Sequence, residues 1–405
     1  MAKQVINIEL FTHKREELRR IEKRRIRRRR MRLLTAAGIV LFLLLIFHMI
    51  QQSRCNFYEY KEEIKTEENA GVHYETFANG FLKYSSNGIE FQQTFGVARW
   101  NIALSFAKPF LAMSERYIFL GDRGGNQAIL FDAGGEVQSY TFPYPIVQLD
   151  VAENGNVEAI LQGEDCNYIE VYTSTGEIIA ETKITLEETG YPLTAAISPD
   201  GTKLAVSYYV VQDLIGRSRV TFYDFSQQLQ PDSVPLMGGF DYEWTLIPRM
   251  QFVRNDRMIA YSGDRIYYYA LSGTPREART IEVENGIESV FGNKGKGTFG
   301  YVCENDEIEG ENYQICLYNK NARQTMTASL DMNYDHIFMV GQDIVATKDN
   351  DCTILNKNGK VLFQGTLEGG RIEKVLPCPG WRTYRVVFGN KIVKLKLSFF
   401  GKERD

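Results

Sequence analysis

The residue types that carry chemistry are sparse in this chain. The nearest approach to a reactive motif is Gly292-Asn293-Lys294-Gly295-Lys296-Gly297-Thr298. A phosphate loop needs glycines that let backbone N–H groups close on the anion, followed by Gly-Lys-Ser/Thr opening a helix. Here the order is Gly-Lys-Gly-Thr, and the flanks are strand-like on both sides, so the segment reads as a turn. Zinc ligation and His-based triads draw on imidazoles. Only His73 and His336 lie in the large C-terminal part, and no G-x-S-x-G occurs. Cys303 and Cys316 flank a loop between neighbouring strands and can face each other. That makes them a disulfide candidate in an oxidising compartment, with structural thiols as the alternative. The loop Glu304–Asn312 is rich in oxygen ligands but lacks the alternate-residue spacing of a calcium loop, so it reads as a solvated acidic loop. These patterns give no reason to expect a metal, a cofactor or an enzymatic activity.

The elements that position these residues fall into two unlike parts. Residues 1–32 hold 13 Lys and Arg against 4 Asp and Glu, a net +9; the remainder carries 34 basic and 47 acidic residues, a net −13. A basic end on an acidic body implies two environments, and the acidic body disfavours nucleic acid as a partner. Leu33 to Ile50 is an 18-residue apolar run without Asp, Glu, Lys or Arg. As a helix it is ~27 Å long, enough to cross a hydrocarbon core. The block before it contains Arg24, Arg25, Arg27, Arg28, Arg29, Arg30 and Arg32, which resists translocation and suits anionic headgroups. A cleaved signal peptide needs small residues before the cut, and Gln51-Gln52-Ser53-Arg54 does not supply them. The reading is a cytoplasmic segment (1–32), a transmembrane helix (33–50), a polar stalk (51–72) and an extracytoplasmic domain (73–400). A cytoplasmic docking role for the basic tail is the alternative to topology alone.

Beyond the stalk the chain is a series of short β-type runs broken by Gly, Asn and Asp turns. One hairpin recurs with turns near residues 115, 155, 201, 256, 295, 342 and 380, a spacing that suits a four-stranded propeller blade. Between these lies a second hairpin with turns such as AGG, STG and KNG. The expected fold is therefore all-β: a seven-bladed β-propeller. Its N- and C-terminal strands share one blade, because closure protects sheet edges. FLKYSSNGIEFQQTF is taken as the orphan second hairpin of that shared blade, and a pair of β-sandwiches is the runner-up fold.

Ile197-Ser198-Pro199-Asp200-Gly201-Thr202-Lys203-Leu204-Ala205-Val206 resembles the S-P-D-G-x-x-L-A element of bacterial propeller repeats. The basic tail, the apolar run, Trp100, Tyr191-Pro192 and Val220–Phe225 together resemble an uncharacterised family of single-pass propeller proteins from Clostridia-type Gram-positive bacteria. That resemblance implies architecture and location and brings no activity.

In a propeller, the loops from second to third strand and the links between blades emerge on one face. The longer insertions map there: Asp122–Asn126, Gly163–Asn167, Val210–Arg219 and the acidic loop. The links carry Trp100, Tyr144, Tyr191, Trp244 and Tyr334. With Asp122, Arg123 and Arg217, these aromatics form the candidate surface for a protein or cell-wall partner, with packing between blades as the competing role. A small-molecule sensor or enzyme using the central channel is the other reading.

Overall fold

The structure is a computed structural model; it describes residues 8–66, 71–94, 96–212, 214–226, 236–305 and 312–400. The chain divides into two units, Met1–Arg54 and Cys55–Asp405. The first is one helix, α1 (Ile8–Gln52). Its segment Arg30–Gln52 is long and apolar enough to cross a membrane, and none of that segment is buried within the protein. An N-terminal apolar helix of this kind serves as a membrane anchor or a signal segment.

The second unit consists of eight four-stranded antiparallel sheets. In chain order they occupy residues 73–103, 109–141, 146–185, 191–243, 249–282, 289–330, 336–366 and 372–398, and are called blades one to eight. The first strand of each blade lies innermost, against the first strand of at least one neighbour. The inner strands are covered on both faces, which explains nearly continuous apolar runs such as Arg257–Tyr261, buried beyond its first residue. Outer strands such as Arg276–Glu282 are mostly exposed and correspondingly charged.

The cores lie between blades, not within them. Among the described residues there are eight apolar clusters, one at each junction, so the ring is closed. Blades one and two share Phe91, Phe106, Leu120 and Phe131, while blades seven and eight share Ile354, Phe363, Val386 and Phe388. The junction of blades eight and one is the smallest, built on Tyr74, Phe81, Leu376, Val387 and Ile392. A salt bridge from Lys374 to Glu75, at 2.6 Å, reinforces it.

Several expectations are corrected here. The ring has eight blades, not seven. The uncounted first hairpin is His73–Phe77 with Gly80–Ser85, whose turn is only Ala78-Asn79, both with positive φ. The supposed orphan hairpin is the middle of blade one: Gly80–Ser85 and Gly88–Thr94 are its second and third strands. An N-terminal strand does close the ring, but it comes from the segment read as a stalk. Phe57–Lys65 pairs with Lys391–Ser398 as the outer strand of blade eight, with Phe57 opposite Ser398 and Ile64 opposite Ile392. Its polarity misled because an outer strand leaves much of its surface in water.

Cys303 and Cys316 are free thiols. They lie diagonally on adjacent strands, Cys303 facing Gln314 and Cys316 facing Tyr301, rather than opposite each other. Burial pushes the Cys303 thiol up to about 11. Val210–Arg219 is not a loop: it is the paired end of a long hairpin, Lys203–Gln212 with Ile215–Asp224. Most of the acidic loop, residues 306–311, lies outside the described residues.

The Ser-Pro-Asp-Gly turn has a clear structural task. Ser198 Oγ donates to Asp200 Oδ1 at 2.6 Å and accepts from the Lys203 N–H at 2.9 Å. Asn154 and Asn156 of blade three donate to the carbonyls of Asp200 and Gly201. Gly201 has φ +69°, and a Cβ there would meet Asn154, so glycine is required where two neighbouring blade turns interlock.

Candidate recognition surface

Strand direction gives the ring two distinct ends. The turns inside each first and second hairpin lie at one end, where the chain enters through Cys55 and Phe57. The loops between second and third strands and the links between blades lie at the other.

At the loop end, blade four is built differently from its neighbours. Its middle strands run 10 residues each and pair to the last residue, Gln212 with Ile215. Leu214 at the tip has φ +63° and is 94% exposed, while Val211 beside it is 62% exposed. Trp244 follows the outer strand, its N–H donating to the Gly216 carbonyl at 3.0 Å, and it is 77% exposed. Two buried hydroxyls hold the following link. Ser207 Oγ donates to the Ile247 carbonyl at 2.9 Å, and Ser218 Oγ accepts from the Ile247 N–H at 3.0 Å. Ile247 is thereby held in the core while Leu246 and Trp244 remain outside. Tyr191 and Tyr209 face each other across the first strand pair, both with exposed surface.

Fixed charges border this patch. Arg217 pairs with Glu243 at 3.6 Å. Arg219 makes two contacts to Asp241, at 2.8 and 3.1 Å, and these hold the Asp241 carboxyl below its usual range. The result is a supported apolar surface with a charged border, the general form of a protein-binding patch.

Of the residues singled out in the sequence, Tyr191, Arg217 and Trp244 all belong to this region. The others are engaged in packing or turn support. Trp100 stacks on Phe131 across the junction of blades one and two, centroids 5.5 Å apart. Asp122 accepts the Lys108 N–H at 2.7 Å, and the exposed Arg123 guanidinium lies 4.4 Å from the Phe110 ring centre. Tyr144 stacks on Tyr168 at 4.6 Å, and Tyr334 donates to Ser289 Oγ at 2.9 Å. Val211, Leu214 and Leu246 escape sequence reasoning because aliphatic residues beside a turn look like ordinary strand content. The available signal is a hairpin longer than any other among the described residues of the ring.

The glycine-rich segment 292–298 has a role unrelated to phosphate. Lys294, in the first turn of blade six, reaches across the ring to form an ion pair with Asp150 of blade three. Gly295 lies against Glu115 of blade two, where a Cβ would overlap the carboxylate side chain. Glu158, opposite Asp150 in the sheet, is fully buried, and neither of its carboxylate oxygens has a hydrogen-bond partner. Burial, then the neighbouring Asp150, raises its pKa well above the ordinary carboxylate range, with Lys294 partly opposing. Among the described residues no group of three His, Cys, Asp or Glu side chains is placed to hold a metal ion.

Many solved structures match this chain at low sequence identity. A functionally unknown protein from Desulfotomaculum acetoxidans is 9% identical, with a TM-score of 0.46, over 74% of this chain and 96% of that one. Hsv2 of Kluyveromyces lactis is 10% identical, with a TM-score of 0.46, over 74% and 98%. The BBS1N chain, solved in complex with ARL6DN, is 10% identical, with a TM-score of 0.42, over 85% and 98%. No curated protein matches the sequence. Residues 51–397 match the model of DUF5711, a family of unknown function, and the span includes the closing strand as well as all eight blades. The chain belongs to the DUF5711 family.

Proposed function

We propose that the protein is a non-enzymatic, membrane-held propeller that binds an envelope protein or cell-wall component. In this reading α1 is an uncleaved signal anchor, the N-terminus is cytoplasmic and the ring is outside. The basic run Lys23–Arg32 supports that orientation, since such a block stays on the cytoplasmic side. The observation that carries the binding role is the exposed patch of Leu214, Val211, Trp244 and Leu246 on a fully paired hairpin and a hydrogen-bonded link. Folding gains nothing from holding these side chains in water, since apolar area stabilises by ~25 cal/mol per Å² only when removed from it. Association with a partner removes it.

The test is photo-cross-linking in intact cells from a reactive residue at position 214, with position 97 as control. Val97 is exposed at the start of the outer strand of blade one, at the entry end. A discrete adduct from 214 that is absent from 97 and lost with Trp244→Ala supports the proposal. Equal adducts from both positions, or none from 214, contradict it.

A further inference from the structure

The entry end of the ring carries a second exposed apolar group, unlike the first. Cys55 is fully buried; its N–H donates to the Leu362 carbonyl at 2.7 Å, and Arg382 Nη1 lies 2.8 Å from its Sγ. The guanidinium of Arg382 stacks over Trp381 and Phe399, 4.7 and 5.1 Å from their ring centres. Trp381 and Phe399 touch each other at 5.9 Å. Phe57, opposite Ser398 in the closing strand, and Phe400, two residues beyond Ser398, lie at the same end of blade eight. Phe57 is 47% exposed, Trp381 46% and Phe400 86%, so this end of blade eight presents three aromatic side chains to its surroundings, Trp381 among them held by a buried arginine.

The covalent chain indicates what covers them. Cys55 is three residues beyond Gln52, the last residue of α1. Three residues span at most ~11 Å even when fully extended. Wherever α1 ends at a bilayer surface, blade eight is held within that distance of the headgroups. An indole at this depth favours the interfacial layer, where its apolar body and its N–H are both satisfied, and phenyl rings beside it gain by burying apolar surface at the acyl boundary. We infer that Phe57, Trp381 and Phe400 form an interfacial rim that seats blade eight on the lipid surface of the membrane crossed by α1. This rests on reading α1 as an anchor. The rim leaves the loop end of blade four, on the far side of the ring, directed away from that surface.

The three tryptophans provide the test, because Trp100 is packed between blades, Trp244 is at the loop end and Trp381 is in the rim. The full chain is reconstituted in vesicles of phosphatidylcholine and phosphatidylglycerol whose acyl chains carry bromine near the glycerol or near the methyl end. The expected result is quenching of tryptophan emission, stronger with shallow bromine, lost in Trp381→Phe and unchanged in Trp244→Phe. Flotation of the same samples separates the two claims. Protein that fails to float with the vesicles overturns the anchor. Protein that floats but shows no quenching dependent on Trp381 overturns the rim and leaves the anchor standing.

Discussion

At the entry end of the ring, Cys55 is buried, the turns of blades three and four interlock through Asn154 and Asn156, and Lys294 crosses to Asp150. At the loop end, blade four extends a hairpin whose tip, Leu214, stands almost entirely in water. Both ends arise from one repeated unit. They differ in what their connections touch: the interlocked entry-end turns bond to a neighbouring blade, whereas the loop-end hairpin of blade four runs on past its own blade. Exposed apolar groups occur at both ends but on opposite sides of the ring. The cluster on blade eight lies beside the chain entry, and the cluster on blade four is half a turn away. Under the proposed function, this division separates a side for attachment from a side for recognition.

The largest effects are expected at the joints on which both ends depend. Phe388, 1% exposed at the junction of blades seven and eight, has no room to be replaced by a smaller group without leaving a cavity. Phe388→Ala is expected to cost ~3–5 kcal/mol in urea unfolding. A cost below that of a surface substitution would mean the ring is not held by its junctions. Lys294→Met removes one partner of the cross-ring pair, whose side chains are less than a third exposed. The expected loss is ~1–3 kcal/mol, reduced from the fully buried case by partial solvation.

The same region gives a signed pH effect. The folded protein holds a proton on Glu158 that the unfolded chain releases at ordinary carboxylate pH, because burial and Asp150 raise its pKa. Stability is therefore greatest below the ordinary glutamate range and falls as pH rises through the interval up to the raised value. Glu158→Gln is expected to abolish that component of the slope in unfolding curves collected across pH; an unchanged slope would assign it elsewhere. At the loop end the effect on stability is smallest. Leu246→Ser is expected to shift unfolding by less than ~0.5 kcal/mol, as for a surface site, while reducing the adduct formed from position 214.

Much of the fold is legible in the sequence because hairpin turns repeat with Gly, Asn and Asp at fixed places. Seven of eight first hairpins can be read that way. The eighth is hidden because blade one joins its strands through Ala78-Asn79 and Ser86-Asn87, leaving no loop to separate one hairpin from the next. The closing strand is hidden for a different reason. Phe57–Lys65 reads FYEYKEEIK, and only its pairing with Lys391–Ser398 distinguishes it from a polar linker. The candidate surface is half legible. Trp244 and Arg217 stand out by residue type, but Trp100, Tyr144 and Tyr334 have the same chemical appearance and are absorbed by packing. An aromatic residue in a blade link serves either purpose, and only its neighbours distinguish them.

The arrangement as a whole depends on the loop end of blade four facing the outside of an intact cell. A cysteine at position 214 tests this directly with a membrane-impermeant maleimide. Cys166 and Cys378 are replaced by serine, because they alone among the native thiols are not buried. The expected result is labelling of Leu214→Cys in intact cells and of Asn7→Cys only after permeabilisation. Labelling of position 7 in intact cells, with position 214 protected until the membrane is opened, would contradict the orientation and the recognition role built on it.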